Sequence, residues 1–272
     1  MRLIDLHNDA VTKISHKRFL KYVKCAEKAG VQTIFVSVWT TEMQGPLQKI
    51  RETREFLDSI NSNVQLPLHI EDAWFINEQN IDEVIKCKPY SVGLTWNTNN
   101  NLAGGANDDG NLTLLGKKII EKLIKNDIVI DLAHLNRPSF FEVTKLLREK
   151  GQPLLCTHTC FDEVHSHPRN LNREQIKTIV NAGGLIGLTL VGKFLSPNKR
   201  ATLHDVCKHI EYFIKNFGTD NIAIGTDFFG TDNLPRGLRK YKDFKRLEKF
   251  FDHTTIEEIL RINYCDFRKI NK

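Results

Sequence analysis

Two residues near the start of the chain, His7 and Asp9, could bind a divalent metal ion. They follow a mostly apolar run over residues 3–6. Residues two apart on an extended segment point to the same side, so an imidazole nitrogen and a carboxylate oxygen can converge on one point. This donor pair suits a hard or borderline divalent cation. A His-x-Asp segment is by itself more often a surface turn, so the rest of the chain must decide between the two interpretations.

Segments typical of strands and of helices alternate eight times along the 272 residues. Val31–Trp39 is apolar and β-branched like a buried strand, and Leu203–Phe217 has the periodicity of an amphipathic helix. The predicted strands end near residues 7, 39, 71, 96, 134, 158, 190 and 227. That repeat matches the roughly 30 residues per unit of a (β/α)8 barrel. A doubly wound sheet is the alternative, but the sequence has no Gly-x-Gly-x-x-Gly turn. We therefore predict an α/β fold, a single (β/α)8 TIM barrel over residues 1–272.

Histidines and carboxylates are found at the carboxyl ends of the predicted strands. In a barrel these ends converge on one rim, where the catalytic residues of this fold lie. Such a set allows two divalent-metal sites, because one carboxylate can bridge two cations about 3.5–4 Å apart. Each residue also has an ordinary structural role open to it, such as a helix-start carboxylate or a turn cap. Six histidines and carboxylates at equivalent strand ends nevertheless favour a metal site. They are His7, Asp9, Glu71, His134, His158 and Asp227.

Composition narrows the class of protein. A hydrophobic content of 40% and a charged content of 26% are ordinary for a globular protein. The net charge of +6 is spread along the chain, and the densest basic run, residues 236–242, lacks interleaved aromatics, so we expect no nucleic-acid partner.

The six cysteines are scattered without a Cys-x-x-Cys pair, which favours reduced thiols in the cytoplasm. No signal peptide precedes the first strand and no apolar run approaches the roughly 20 residues of a bilayer span, so we expect no membrane partner.

With these residues in view, the chain resembles the renal (membrane) dipeptidase family of zinc metallopeptidases, whose fold is a (β/α)8 barrel of the amidohydrolase type. The matching segments keep the family's order and cover nearly the whole chain. The most specific part is His-Pro-Arg-Asn in combination with His-x-Asp. The segments are residues 5–9, 70–71, 93–95, 130–134, 157–159, 167–171 and 224–228.

The resemblance implies a metal-dependent hydrolase, a dipeptidase that cleaves the amide bond of small dipeptides with a metal-bridging hydroxide. It implies Zn²⁺ as the cofactor, two ions per chain. The five ligands would be His7 and Asp9 for one ion, His134 and His158 for the other, and Glu71 as the bridge.

The resemblance also assigns residues to the substrate. Arg169 would bind the terminal carboxylate of a small dipeptide-like substrate, and Asp227 would be the catalytic residue that handles the proton. The chain departs from the family at Trp96, where well-studied members have a histidine that contacts the substrate. An indole N–H can donate one hydrogen bond but cannot carry charge, so the substrate preference can differ.

Two other functions remain open at this point. The first is a barrel hydrolase acting on another small amide, an N-acyl amino acid or a lactone, for which Trp96 is the motivation. The second is a catalytically inactive metal-binding protein, although none of the six candidate positions is altered. The oligomeric state does not follow from the sequence, and a homodimer is one alternative.

Overall fold

Eight parallel strands form a closed barrel in sequence order. The structure is a computed structural model that describes residues 2–41 and 44–270. The last strand pairs with the first through Asp5 and Ile224, which closes the barrel. The strands are β1 (Leu3–Asn8), β2 (Val31–Trp39), β3 (Leu68–Glu71), β4 (Ser91–Gly93), β5 (Val129–Asp131), β6 (Leu155–Thr159), β7 (Leu185–Leu188) and β8 (Ile222–Ile224). The predicted (β/α)8 barrel is confirmed, whereas the single domain over the whole chain stays a prediction.

Every connection between consecutive strands contains a helix. These helices are α1 (Ala10–Lys13), α2 (His16–Lys28), α3 (Pro46–Asp58), α4 (Ile81–Lys86), α5 (Leu114–Ile124), α6 (Arg137–Glu149), α7 (Arg173–Val180), α8 (Gly192–Leu195) and α9 (Leu203–Phe217). After β8 the chain forms a 3-10 helix (Tyr241–Lys249), α10 (His253–Glu257), a π-helical turn (Glu258–Ile262) and α11 (Asn263–Ile270). Among the described residues, none of the helices combines the length and apolarity needed to cross a bilayer.

Helix α9 shows why the sequence folds as it does. Its residues Val206, Ile210 and Phe213 recur at helical spacing and are buried. The backbone N–H of Thr202, just before the helix, donates to Asp205 Oδ2 at 2.9 Å, which satisfies one of the donors that a helix start leaves free. The helix ends at Gly218, whose φ of 83° favours glycine. Periodicity, the capping residues and the glycine together therefore account for this helix.

The two ends of the barrel have different chemistry. An apolar cluster that includes Ile4, Phe35 and Leu155 packs against Tyr264 and Phe267 of α11, which covers the barrel near the start of its strands. The opposite end carries the buried polar residues that the sequence singles out. The barrel thus has an apolar cluster at one end and buried polar residues at the other.

Backbone atoms crowd the barrel near β6, where the pairing with β7 shifts register between Cys156 and Thr159. A Cβ atom built on Gly225 would lie 1.9 Å from the carbonyl oxygen of Thr157 and 3.2 Å from the Cβ of His158. Real Cβ atoms do not approach a backbone oxygen so closely, so an added methyl group must displace β6 or β8. Gly225 is therefore needed for close packing next to His158.

We expect Gly225→Ala to lower the free energy of unfolding by about 3 kcal/mol, because overpacking a filled interior forces the backbone to move. The melting temperature should fall by roughly 10 °C for a chain of this size, which calorimetry would measure. The matched control is Gly93→Ala, where the nearest atom to a built Cβ is 3.7 Å away, an ordinary contact. Equal melting temperatures for the two variants would contradict the close packing at Gly225.

Candidate metal centre

The structure gathers the six residues that the sequence selects at the carboxyl ends of the strands. Each lies within the last residues of its strand or up to three residues beyond it. Five of them are buried, with between 0% and 5% of their surface exposed, and Asp227 is half-buried. The residues are His7, Asp9, Glu71, His134, His158 and Asp227. The barrel thus brings six residues that are far apart in the sequence into one polar cluster.

Glu71 lies at the centre of this cluster, and its two carboxylate oxygens face different partners. Oε1 is 2.8 Å from His134 Nε2 and 3.6 Å from His158 Nε2. Oε2 is 3.7 Å from His7 Nε2, which in turn is 3.4 Å from Asp9 Oδ2. The two oxygens of one carboxylate therefore face different histidines, as those of a ligand that bridges two cations would.

The hydrogen bonds around His158 determine which of its nitrogens is free. The hydroxyl of Thr157 donates to Asp131 Oδ2 at 2.6 Å. Because that hydroxyl has a single proton, it accepts from His158 Nδ1, 2.9 Å away. The second nitrogen of His158, Nε2, is then left with a lone pair directed into the cluster.

His134 is held in the same way on the other side. Its Nδ1 lies 3.0 Å from the side-chain oxygen of Asn97, which accepts the ring proton. The Nε2 atoms of His134 and His158 are 2.9 Å apart, and a Glu71 oxygen lies 2.8 Å from that of His134, so three atoms that can bind a metal meet here. A bound cation would satisfy all three acceptors at once.

His7 and Asp9 also have side-chain atoms without a hydrogen-bond partner. Within residues 2–41 and 44–270, His7 Nε2 and Asp9 Oδ2 are buried and have no hydrogen-bond partner. Buried polar atoms without partners are costly, and such atoms in a native fold point to a missing ligand. The donor atoms of His7, Asp9 and Asp227 lie within 4.8 Å of one another, as do those of His7, Glu71 and His158. The residues present therefore fit divalent-metal binding at this rim.

Burial and neighbouring charges shift the pKa values of the cluster strongly, in both directions. Desolvation holds the pKa values of His134 and His158 well below their usual range, so both imidazoles are neutral. Burial opposes protonation of His7 too, but the nearby carboxylates of Glu71 and Asp9 raise its pKa to about 10. Such strongly perturbed groups in one cleft are typical of functional sites.

The pKa values of two carboxyl groups in the cluster, those of Glu71 and Asp227, are raised. Burial raises the pKa of Glu71 to about 8, against an opposing effect of His7. Burial, followed by the negative charge of Asp9, holds the pKa of Asp227 well above its ordinary value. Asp227 is therefore a carboxyl group that can hold a proton at a higher pH than an exposed aspartate.

Two members of the cluster have a strained backbone. His134 has a φ of 68° and Asp227 a φ of 57°, in the left-handed region that residues other than glycine rarely adopt. The carbonyl of His7 accepts a hydrogen bond from the backbone N–H of Asp227 at 3.0 Å, which helps to hold that conformation. Strain of this kind is found at functional sites, where the surrounding structure enforces it.

A small cavity of about 180 Å³ opens onto the cluster. Trp96 lies in its wall, with its ring centroid 5.2 Å from that of Trp39 and 6.1 Å from that of His134. The volume is below the 300–1,000 Å³ typical of pockets for drug-sized ligands, so only a small molecule would fit. The described residues that line it are Asp9, Lys13, Trp39, Glu71, Trp96, Asn97, His134, Val191, Lys193, Phe194, Asp227, Gly230 and Thr231.

Arg169 lies beside the cluster, in the layer behind the cavity wall. It is 4% exposed, and its Nη2 donates to the carbonyl oxygen of His158 at 3.2 Å. Its guanidinium carbon is 5.4 Å from the ring centroid of Phe194, which does line the cavity. Among the described residues, its Nε has no hydrogen-bond partner. The predicted carboxylate-binding residue is thus next to the cavity without lining it, and it has one buried donor that lacks a partner.

Sequence reasoning did not select several residues that shape the site. Thr157 and Asn97 orient His158 and His134, and Lys13 and Lys193 line the cavity. Thr157 adjoins a predicted ligand, which is a usable signal for a supporting hydrogen bond. The two lysines lie in segments whose sequence carries no such signal.

Comparison with known proteins gives a consistent picture. Residues 77–265 match the family model described as membrane dipeptidase, peptidase family M19. A curated relative, an uncharacterized protein in the pqqA 5′ region of Klebsiella pneumoniae, is 28% identical over 191 residues, which cover 64% of this chain and 69% of the relative.

Two solved structures have the same fold. An amidohydrolase from Pseudomonas aeruginosa superposes with a TM-score of 0.83 at 20% identity, over 98% of this chain and 95% of that protein. A metallopeptidase from Rhodobacter sphaeroides, liganded with a phosphinate mimic of the dipeptide L-Ala-D-Ala, has a TM-score of 0.80 at 18% identity, over 100% and 99% of the two chains. At these identities the likeness shows the fold alone.

Proposed function

The chain belongs to the membrane dipeptidase family, peptidase family M19, and is a metal-dependent hydrolase of peptide bonds; from this premise we propose that it is a dinuclear zinc dipeptidase. Its substrates would be small dipeptides with a free terminal carboxylate. The observation that carries the proposal is the position of Glu71, one of whose oxygens faces His7 and the other His134. The small cavity above this residue supports a substrate of dipeptide size.

The proposed ligands divide between the two zinc ions. His7 and Asp9 would hold one zinc ion, His134 and His158 the other, and Glu71 would bridge them. Nitrogen and oxygen donors of this kind suit Zn²⁺. When bound, the two ions would lower the pKa of the attacking water and polarise the amide carbonyl.

Asp227 would move the proton. Its carboxylate would accept a proton from the attacking water and pass it to the amine that leaves, as a general base and then a general acid. Burial and the charge of Asp9 raise the pKa of Asp227, which makes the protonated form accessible in the second step. Its place in the cavity wall gives it access to the substrate.

Two residues would bind the substrate. Arg169 would bind the terminal carboxylate, because its planar guanidinium matches a carboxylate and its Nε still lacks a partner among the described residues. Trp96 would form an apolar wall with Trp39, excluding water next to His134. Since an indole carries no charge, Trp96 would orient the substrate without stabilising charge in the transition state.

The second candidate function is hydrolysis of another small amide, an N-acyl amino acid or a lactone on the same centre. Trp96 favours it, because an apolar group replaces a chargeable one in the cavity wall. A cytoplasmic location also stays a prediction, which the six free cysteines support. The homodimer stays a prediction too.

We expect the purified, zinc-loaded protein to retain close to two zinc ions per chain, because the cluster offers histidine and carboxylate ligands to two cations. Elemental analysis measures the metal, and release of free alanine from Ala-Ala measures the activity. N-acetylalanine is the matched substrate for the second candidate. A protein that retains no zinc and hydrolyses no dipeptide after loading would contradict the proposal, and turnover of N-acetylalanine alone would favour the second candidate.

A further inference from the structure

Two lysines line the cavity next to the candidate metal centre, Lys13 and Lys193. Each side chain is exposed and lies over an aromatic ring: the ammonium of Lys13 is 4.9 Å from the ring centroid of Trp39, and that of Lys193 is 5.3 Å from that of Phe194. Some other exposed lysines, such as Lys118, pair with carboxylates. Within residues 2–41 and 44–270, neither cavity lysine forms an ion pair, so their charges are not balanced by the protein.

The carboxylates of the cavity do not remove this imbalance. Three carboxylates line it, those of Asp9, Glu71 and Asp227. In the proposed function, these three groups and the metal-bridging hydroxide would together balance the charge of the two divalent cations. The lysines would then give the cleft a net positive potential, and a cleft of one sign raises the local concentration of ligands of the opposite sign.

Lys193 lies near Arg169, the residue proposed to bind the terminal carboxylate. It precedes Phe194 on α8, and the same Phe194 ring lies 5.4 Å from the guanidinium carbon of Arg169. Two cations therefore flank one ring, the buried Arg169 and the exposed Lys193. If Arg169 binds the terminal carboxylate, Lys193 is near the side chain of that same C-terminal residue.

Lys13 occupies a different part of the rim. It follows β1, whereas Lys193 follows β7, and β8 lies between them in the barrel. Its contact with Trp39 places its ammonium towards β2. Lys13 would contribute to the overall positive potential, and Lys193 is the lysine next to Arg169.

We propose that the preferred substrates are dipeptides with an acidic C-terminal residue, aspartate or glutamate, whose side-chain carboxylate binds Lys193; this rests on the proposed dipeptidase function. The cavity of about 180 Å³ limits the anion to the size of one side chain. A carboxylate and an ammonium form a charge-assisted hydrogen bond, stronger than a neutral one.

The test compares kcat/KM for Ala-Asp with that for Ala-Asn, a neutral substrate of the same shape, using both L and D forms of the second residue. The zinc-loaded protein should prefer Ala-Asp by about tenfold in the form that it accepts. In Lys193→Met this ratio should fall to near one, and in Lys193→Glu it should fall below one. Lys199→Met, an exposed lysine in the segment after α8, is the matched control and should keep the tenfold ratio.

A second readout does not depend on turnover. Titration calorimetry with the phosphinate analogues of Ala-Asp and Ala-Asn should show the same tenfold preference, lost in Lys193→Met. An equal response to both substrates and both analogues, or a ratio that Lys193→Met leaves intact, would overturn this inference while the dipeptidase proposal stands. Failure to hydrolyse any dipeptide and to bind either analogue would overturn both.

Discussion

Replacing Glu71 with glutamine should remove zinc from the protein and lower kcat/KM for dipeptides on the order of 10⁴-fold, which corresponds to several kcal/mol of lost transition-state stabilisation. The reason is the use of both carboxylate oxygens: one faces His134 and the other faces His7. Glutamine keeps one oxygen, presents an amide N–H₂ in place of the other and loses the negative charge. The measurements are zinc per chain by elemental analysis and the initial rate of dipeptide hydrolysis.

A matched control for Glu71→Gln is available at Glu78. Its exposed side chain pairs with Lys118 on the surface, so Glu78→Gln removes the same charge outside the cavity. This control should retain its zinc, its activity and its melting temperature, since exposed ion pairs contribute little to stability. Retention of two zinc ions and full activity by Glu71→Gln would show that Glu71 is not the bridge.

Replacing Asp227 with asparagine should lower kcat by about 10³-fold while the zinc content stays unchanged. An amide of the same shape cannot accept a proton, and general acid–base catalysis contributes about 10²–10⁴-fold to enzymatic rates. KM should change much less, because the neighbouring Arg169 and the wall formed by Trp96 and Trp39 are intact. The measurements are kcat and KM for one dipeptide, together with metal content.

Metal content decides between two roles for Asp227. Its carboxylate lies within 4.8 Å of the donor atoms of His7 and Asp9, close enough for a ligand. Loss of one zinc ion in Asp227→Asn would identify it as a ligand instead of a proton carrier. Asp232→Asn, an exposed aspartate in the same loop, is the control that should match the unaltered protein in both measurements.

The sequence was sufficient for the barrel and for the grouping of the site residues. β2 and α9 have the bounds that their apolar patterns predict, Val31–Trp39 and Leu203–Phe217. Once strand and helix alternate eight times, closure of the sheet brings the strand ends together without further information. His7, Glu71 and His158 could therefore be grouped although they are far apart in the chain.

Other features had no signal in the sequence. Helix α8 has four residues, too few for a hydrophobic period, and its segment has the composition of a loop. Because α8 sets the positions of Lys193 and Phe194, the charge of the cavity mouth could not be foreseen. The burial of Arg169 behind Phe194 also depends on packing between distant segments.

The left-handed backbone of His134 and Asp227 links the stability of this barrel to its proposed activity. Each such residue costs about 1–3 kcal/mol relative to an unstrained one, and glycine would avoid that cost. A chain selected for stability alone would carry glycine at both positions. A glycine introduced there for thermal stability would remove a side chain that the proposed chemistry needs, so the more stable variant would be a less active one.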